Sequence, residues 1–155
     1  MSATWRIVSV AERPDLVPVV AEWLWDAFWQ PNGHTLEELL EVIGSAASDP
    51  GLPESFVLLA GDVPCGTATL AASDLEPRPD IGPWLAGVYV VPEARGQGCG
   101  ERLVAAVENA AREAGHGALY LYTHDAAGFY EKLGWLAIEE TMDSRQLVTI
   151  MQKQL

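Results

Sequence analysis

The chain has 155 residues, of which 49% are hydrophobic and 20% charged. This length suits a single domain, residues 1–155, and the hydrophobic fraction excludes a disordered chain because enough apolar surface can be buried to offset the ordering entropy. Nine basic residues against 22 acidic ones give a formal net charge of -13. Such a surface repels phosphate backbones, so we expect no nucleic acid and no anionic membrane as partner, whereas cationic amines would be attracted.

No apolar run of the sequence is long enough to span a bilayer, and residues 1–10 lack the apolar region of a signal peptide. We therefore expect a cytoplasmic protein. The two cysteines, Cys65 and Cys99, lie far apart and form no C-x-x-C pattern, so we expect free thiols. The three histidines have no metal-ligand spacing, and we predict no metal site.

The first half of the chain predicts a strand, two helices and a β-hairpin. Apolar residues recur at helical spacing from Pro14, and the segment Pro31-Asn32-Gly33 ends that helix. Thr35 and Glu38 have the spacing of a capping box at the start of the second helix. The pattern then changes to two strands joined by a Gly-Asp turn. The predicted elements are, in order, strand 4–10, helix 14–30, a helix from residue 36, strand 56–60 and strand 63–72.

The second half begins with a proline-rich loop, residues 76–83, and an almost wholly apolar segment, residues 84–91, which is typical of a central buried strand. A glycine-rich loop and a helix capped by Gly115 follow. The remaining predicted elements are strand 118–122, helix 126–133, strand 135–139 and strand 146–151. This order predicts an α/β (α+β) fold, a mixed and mostly antiparallel sheet of about six or seven strands flanked by about four helices.

The segment Arg95-Gly96-Gln97-Gly98-Cys99-Gly100 directly follows the central strand and opens a helix. The first turn of a helix has N–H groups without internal partners, and glycines let those groups approach an anion without a Cβ in the way. We therefore expect the backbone of residues 97–101 to cradle a phosphate or pyrophosphate, with Arg95 adding a positive charge. A Walker loop and the dinucleotide fingerprint G-x-G-x-x-G both fail to fit this segment.

Two segments together resemble the GCN5-related N-acetyltransferase (GNAT) family. They are VYVVPEARGQGCGERL, residues 88–103, and AGFYEKLGW, residues 127–135, in the order and at the spacing of the family. The resemblance covers residues 55–155 well, and the N-terminal helices fit only in kind. It implies the acyl-CoA N-acyltransferase (GNAT) fold, acetyl-CoA as cofactor, and direct attack of a primary amine on the thioester in a ternary complex.

The resemblance also implies where the cofactor is held. The backbone of the central strand would pair with the pantetheine arm, the glycine loop would hold the pyrophosphate, and Gly87 is the expected place for a bulge that splays the strand from its neighbour. The expected cofactor-binding residues are Val88, Tyr89, Val90, Arg95, Gly96, Gln97, Gly98, Cys99, Gly100, Glu101 and Thr123. Thr123 stands where relatives often place Asn.

Tyr130 occupies the position of the general acid in the resembling family. The departing thiolate is best protonated as it forms, and a tyrosine hydroxyl, with a pKa of about 10, can supply that proton. A backbone N–H near Val90 is a candidate donor to the thioester carbonyl. The base stays open, because the central strand contains no acid. Candidates are Asp74, Glu76, Asp80, His124, Asp125 or a chain of water molecules.

The acceptor site has no motif. Trp25, Phe28 and Trp29 would share a face of the first helix, either as a core face, as a homodimer contact or as an aromatic wall over a cationic amine. The candidate acceptor-binding residues are Trp25, Trp29, Asp74, Glu76 and Trp84. We predict a small-molecule or peptide amine as acceptor. The alternatives are a non-catalytic acyl-CoA-binding regulatory module and a structural dimer built on the first helix.

Overall fold

The computed structural model describes residues 4–48, 53–72, 78–143 and 145–155. These ranges contain seven strands and four α-helices, which confirms the predicted fold class. The strands are β1 Trp5–Ser9, β2 Glu54–Ala60, β3 Val63–Ala71, β4 Trp84–Val90, β5 Ala118–Thr123, β6 Leu136–Asp143 and β7 Gln146–Gln154. The helices are α1 Val17–Leu24, α2 Leu36–Ser48, α3 Cys99–Glu113 and α4 Ala127–Lys132.

The strands form one sheet in the order β1-β2-β3-β4-β5-β7-β6. Neighbouring strands are antiparallel except β4 and β5, which are parallel. A parallel pair needs a crossover connection, and here α3 supplies it between β4 and β5. The predicted mixed, mostly antiparallel sheet is therefore confirmed.

Helices cover both faces of the sheet, because successive side chains of a strand point to opposite faces. On β2, Leu58 packs in the core with Leu103 and Val107 of α3. Its neighbours Val57 and Leu59 pack in the other core, with α1 and α2. A smaller third cluster joins Trp84, Val148 and Ile150 of β4 and β7.

The first predicted helix is not continuous. A 3₁₀ turn, Pro14–Leu16, precedes α1, and after Leu24 the backbone widens into a π-turn, Trp25–Trp29. Because a π-turn places residues at a different angular spacing from an α-helix, the predicted shared face of Trp25, Phe28 and Trp29 is wrong. The two tryptophans pack against the core of α1 and α2, whereas Phe28 is 43% exposed.

The second helix begins as half of the predicted capping box. The N–H of Glu38 donates to Thr35 Oγ1 at 3.2 Å, as the spacing predicts. The carboxylate of Glu38 lies 3.1 Å from Nδ1 of His34 instead of reaching back to the backbone of Thr35. The carboxylate of Glu38 therefore contacts the exposed His34 and does not complete the capping box.

The predicted bulge lies at Gly87, in the middle of β4. Gly87 has a φ of +59°, and the register with β3 shifts between the pairs Thr67–Tyr89 and Thr69–Ala86. A Cβ at position 87 would lie 3.2 Å from Cδ2 of Leu24, so both the backbone conformation and the helix above it favour glycine. The bulge bends β4 at the point from which it separates from β5.

Candidate active site

A cleft of about 780 Å³ runs along β4 and the glycine loop, residues 95–100. Its walls come from β4, from the start of α3, from the π-turn after α1 and from the segment that leads into α4. Among its lining residues are Val88, Tyr89, Val90, Arg95, Gly96, Gly98, Cys99, Gly100 and Glu101. These are all of the expected cofactor-binding residues except Gln97, whose side-chain amide donates to the Glu93 carbonyl at 3.3 Å, and Thr123.

The glycine loop turns the chain from β4 into α3 by means of two left-handed residues. Gly96 and Gly98 both have a φ of +79°, and no heavy atom lies within 4 Å of a Cβ built on either. The N–H of Arg102 makes a helical bond to the carbonyl of Gly98, at 3.1 Å. No side chain of the described residues caps this helix. The N–H groups of the first turn, residues 99–101, are therefore directed at the cleft with the positive end of the helix dipole.

The edge of β4 next to β5 is open beyond its first residue. The described residues contain one β4–β5 pair, Trp84 with Tyr120. Further along, the N–H of Val91 donates to the Cys65 carbonyl on β3, at 2.9 Å. Because backbone groups of successive strand residues alternate in direction, the N–H and C=O of Val90 point away from β3 and into the gap. An extended chain with amide groups could pair with this edge as an added strand.

Arg95 is the basic side chain among the residues that line the cleft. Its Nε donates to the Val90 carbonyl at 3.0 Å, and its guanidinium carbon lies 5.9 Å from the centre of the Tyr89 ring. The side chain is exposed, so it can leave these contacts for a phosphate group, to which a guanidinium makes stronger, charge-assisted bonds.

Tyr130 lies on α4, beside the cleft wall. Its ring is half-buried and meets the rings of Phe129 and Trp135 edge to face, at centroid distances of 5.0 and 6.1 Å. Burial raises the pKa of the Tyr130 phenol, so the hydroxyl keeps its proton at neutral pH. Tyr130 itself is not among the residues that line the cleft, whereas Phe129 and Ala126 are.

The sequence profile described as "Acetyltransferase (GNAT) family" matches residues 17–135. The chain belongs to this family. No curated protein sequence matches it. Its seven-stranded sheet and helices form the acyl-CoA N-acyltransferase (GNAT) fold, as the sequence resemblance implies.

Solved structures of other GNAT proteins superpose over nearly the whole chain. An aminoglycoside 6'-N-acetyltransferase complexed with coenzyme A is 16% identical at a TM-score of 0.76, with 96% of each chain covered. An acyl-CoA N-acyltransferase from Pseudomonas aeruginosa is 17% identical at a TM-score of 0.68, with 98% of this chain and 99% of that chain covered. N-acetylglutamate synthase from Neisseria gonorrhoeae, complexed with coenzyme A and N-acetyl-glutamate, is 20% identical at a TM-score of 0.72. The match covers 100% of this chain and 36% of that chain.

Two phenylalanines of this GNAT protein line the cleft: Phe28, a member of the expected aromatic face, and Phe129, to which the sequence pattern gave no role. Phe28 comes from the π-turn and Phe129 from α4. The ring of Phe129 lies on the first turn of α3, since a Cβ on Gly100 would be 3.3 Å from its Cζ. Exposure would have been the signal, but the sequence pattern of a partly exposed phenylalanine does not differ from that of a core phenylalanine.

The candidate acceptor residues are scattered. The indole N–H of Trp25 donates to the His34 carbonyl at 2.8 Å, and the ring of Trp29 meets the His34 ring at 4.9 Å, so both indoles are tied to the turn before α2. Trp84 is fully buried and donates to the Ile81 carbonyl at 2.9 Å, which places it under the sheet surface and out of reach of an acceptor. Asp74 and Glu76 lie outside the described residues.

The candidate bases that the structure describes differ in their surroundings. Asp80 accepts two hydrogen bonds from Arg78, which lower the pKa of its carboxyl group and make it a weak base. His124 is exposed, with its ring 6.3 Å from that of Tyr122, and Asp125 is exposed beside it. Asp80 has a structural role, because it holds the guanidinium of Arg78, which also binds Glu139 of β6. The Arg78 side chain thereby connects the loop before β4 to the sheet.

The cysteines are both free and both buried. The thiol of Cys99 donates to the Ala94 carbonyl at 3.4 Å, and burial raises its pKa, which makes it a poor nucleophile at neutral pH. Within the described part of the chain we find no group of three or more His, Cys, Asp and Glu side chains that could hold a metal ion. None of the described helices combines the length and the apolar character that a membrane crossing requires.

Proposed function

We propose that this protein transfers an acetyl group from acetyl-CoA to a primary amine by direct attack in a ternary complex. The observation that carries the proposal is the continuity of two backbone features in one cleft. The glycine loop offers helix N–H groups of the kind that bind a pyrophosphate, and the adjoining β4 edge lacks a strand partner where a pantetheine arm would lie. The coenzyme A complexes of two structural neighbours support the same assignment.

The residues of this chain would divide the work as follows. The N–H groups of residues 97–101 and the guanidinium of Arg95 would hold the pyrophosphate, and residues 88–90 would align the pantetheine arm. Bound acetyl-CoA would supply the thioester carbonyl that the amine attacks. The N–H of Val90, which points into the gap, would donate to that carbonyl oxygen as negative charge develops on it.

The transfer forms one C–N bond and breaks one C–S bond. The attacking amine is mostly protonated at neutral pH, so one proton must leave it before attack, to water or to a nearby base. As the C–S bond breaks, Tyr130 would donate its phenol proton to the sulfur, and the proton that the new amide nitrogen loses would return through water to the phenolate. Because its raised pKa keeps that phenol protonated, the acid is in its active form throughout the neutral range.

We propose a cationic small molecule or a peptide N-terminus as the acceptor. The net charge of -13 would attract such amines, and one structural neighbour is an aminoglycoside 6'-N-acetyltransferase. Trp25 and Trp29 pack against the core of their own chain, which favours a core role for them over a homodimer contact. The oligomeric state and the cytoplasmic location stay predictions.

One observation favours the alternative of a non-catalytic acyl-CoA-binding module, namely that Tyr130 does not line the cleft. Release of coenzyme A thiol separates the two functions. Acetyl-CoA is incubated with the protein and one amine from a panel of kanamycin, spermidine, tyramine and an alanine-initiated peptide amide. Our proposal predicts that at least one amine accelerates thiol release above the rate without amine. Tight coenzyme A binding with no amine-dependent release across a widened panel would support the alternative.

A further inference from the structure

The helix that carries Tyr130, α4, is too short to be stable without contacts to the rest of the protein. α4 has six residues, and isolated helices of that length are unstable in water. Contacts at its two ends must therefore fix it. At the start, the N–H of Ala126 donates to Thr123 Oγ1 at 3.0 Å. At the end, the carbonyl of Leu133 accepts a hydrogen bond from Lys153 Nζ at 2.7 Å, so a cation sits at the negative end of the helix.

Lys153 also belongs to a partly buried ion pair that the proposed mechanism does not use. Its Nζ donates to Glu108 Oε1 at 3.0 Å, and the other carboxylate oxygen, Oε2, accepts from the indole N–H of Trp135 at 3.2 Å. Glu108 is 8% exposed and lies on α3, Lys153 is on β7, and Trp135 precedes β6. This ion-pair network, Glu108, Lys153 and Trp135, joins three elements around the end of α4.

Three further contacts connect the ion-pair network to Tyr130. The carbonyl of Tyr130 accepts the N–H of Leu133 at 2.9 Å and the N–H of Trp135 at 3.1 Å. The rings of Tyr130 and Trp135 also meet edge to face at 6.1 Å. Leu133 and Trp135 are each bound both to Tyr130 and to a member of the ion pair. A shift of the ion pair would therefore move the backbone and the ring of Tyr130 together.

Stability alone does not account for this ion pair, whose carboxylate is buried and whose ammonium is partly buried. Removing a carboxylate and an ammonium from water is costly, and apolar side chains of similar volume often stabilise a core equally well. Apolar side chains, however, cannot supply directional hydrogen bonds. An ion pair with three hydrogen bonds fixes one geometry of the indole, of the Leu133 carbonyl and of the chain between them.

We infer that Glu108 and Lys153 are positioning residues, which hold α4 and so fix the backbone and the ring of Tyr130 beside the cleft. This inference rests on the proposed function, in which Tyr130 is the acid. Neither Glu108 nor Lys153 is among the residues that line the cleft. The network acts through Leu133 and Trp135, so its loss should change Tyr130 selectively and leave the glycine loop intact.

The first test needs no acceptor. 3-Fluorotyrosine is placed at position 130, and its phenol is titrated by ¹⁹F NMR in the wild type, in Lys153→Met and in Lys153→Arg. We expect Lys153→Met to lower the phenol pKa by about half a pH unit, because a loosened α4 admits water to the ring. Lys153→Arg, which keeps the cation and its donors, should stay close to the wild type. The matched control is Lys132→Met, which removes an exposed lysine of α4 itself.

The second test is a double-mutant cycle with acetyl-CoA and the fastest amine of the panel above. If Lys153 acts through Tyr130, Lys153→Met lowers kcat about tenfold in the wild type and hardly at all in Tyr130→Phe. The dissociation constant of coenzyme A should not change. Glu108→Gln is the second variant, should Lys153→Met fail to fold.

The outcomes separate this inference from the proposed function. An unmoved phenol pKa in folded Lys153→Met, or an equal loss of kcat with and without the Tyr130 hydroxyl, would overturn the positioning role and leave the acid role standing. If Tyr130→Phe itself has full activity, the acid role is wrong, and the positioning role is overturned with it.

Discussion

The loop side and the helix side of the cleft differ in the atoms that they present. The loop side is formed by β4, the glycine loop and the first turn of α3. Because Gly96, Gly98 and Gly100 have no side chains, a ligand there can reach main-chain N–H and C=O groups. On the helix side, the π-turn presents side chains, with Phe28 and Ala27 in the wall. A site made of backbone depends on where glycines stand and is shared across a family. A wall made of side chains can change its chemistry one residue at a time.

The largest expected effect is on kcat and comes from removal of the Tyr130 hydroxyl, which should leave both sides of the cleft intact. Tyr130→Phe should lower kcat by a factor of about 100 or more, because it removes the proton donor to the thiolate. Coenzyme A affinity, measured by calorimetry, should stay within about twofold, since the glycine loop is untouched. Tyr120→Phe is the matched control, because the Tyr120 hydroxyl is occupied by the Gln152 side chain at 3.2 Å. Equal rates for Tyr130→Phe and the wild type would remove the acid role.

The pH dependence of the same reaction gives a second view of Tyr130. Burial raises the phenol pKa above the ordinary tyrosine value of about 10. The acid works only while protonated, so activity should be lost as the pH rises through the raised pKa, and the alkaline limb of kcat should lie above about pH 10. Tyr130→Phe should lack this limb. A limb that persists in the variant belongs to another group.

The second expected effect lies on the loop side. Gly98→Val forces a branched side chain into a residue with a φ of +79°, at a cost of about 1–2 kcal/mol if the loop keeps its shape. We expect coenzyme A affinity to fall about tenfold, because the strained loop turns its N–H groups away from the pyrophosphate. Gly117→Val is the control, since Gly117 has open space around it and no positive φ. Unchanged affinity in Gly98→Val would mean that the loop does not hold the cofactor.

The third effect tests the bulge between the two sides. In Gly87→Ala the new methyl group would lie 3.2 Å from Leu24 Cδ2, on a backbone with a φ of +59°. We expect the free energy of unfolding to fall by about 1–2 kcal/mol in urea titrations. Gly117→Ala should be close to neutral. Full stability of Gly87→Ala would show that β4 does not need the bulge to leave β5.

The smallest effect lies on the helix side. Because Phe28 is 43% exposed, Phe28→Ala should change the free energy of unfolding by no more than about 0.5 kcal/mol. It should raise the KM of the amine by about threefold, since apolar contact area in the cleft is lost. Val42→Ala is the control, as Val42 is 46% exposed on α2 and does not line the cleft. A large loss of stability in Phe28→Ala would place this ring in the core instead.

The same division explains what the sequence could predict. The glycine loop was predictable because glycine spacing after an apolar strand determines backbone geometry directly, and Gly87 and Gly115 followed from similar reasoning. The π-turn was not predictable, because the helix propensities of Trp25–Trp29 do not distinguish an α-helix from a wider turn. Which of the two forms depends on packing against α2 and on the hydrogen bond to the His34 backbone. Trp84, expected both in the core at the edge of the acceptor cleft and as an acceptor contact, is fully buried, so only the core position is confirmed.

The ion-pair network shows a further limit of prediction from the sequence. Glu108 and Lys153 are 45 residues apart, and nothing in the local pattern of either element marks them as partners. An acid on a helix and a lysine near the end of a strand are usually solvated. Only the fold brings them together at the end of α4.

The central claim is that main-chain amides at the start of α3 hold the pyrophosphate, and an ¹H–¹⁵N spectrum of the protein titrated with coenzyme A tests it most directly. We predict that the amide signals of Gly98, Cys99, Gly100 and Glu101 shift most, together with Val90, while those of α2 barely move. Coenzyme A binding that leaves the amides of residues 98–101 in place would contradict the account.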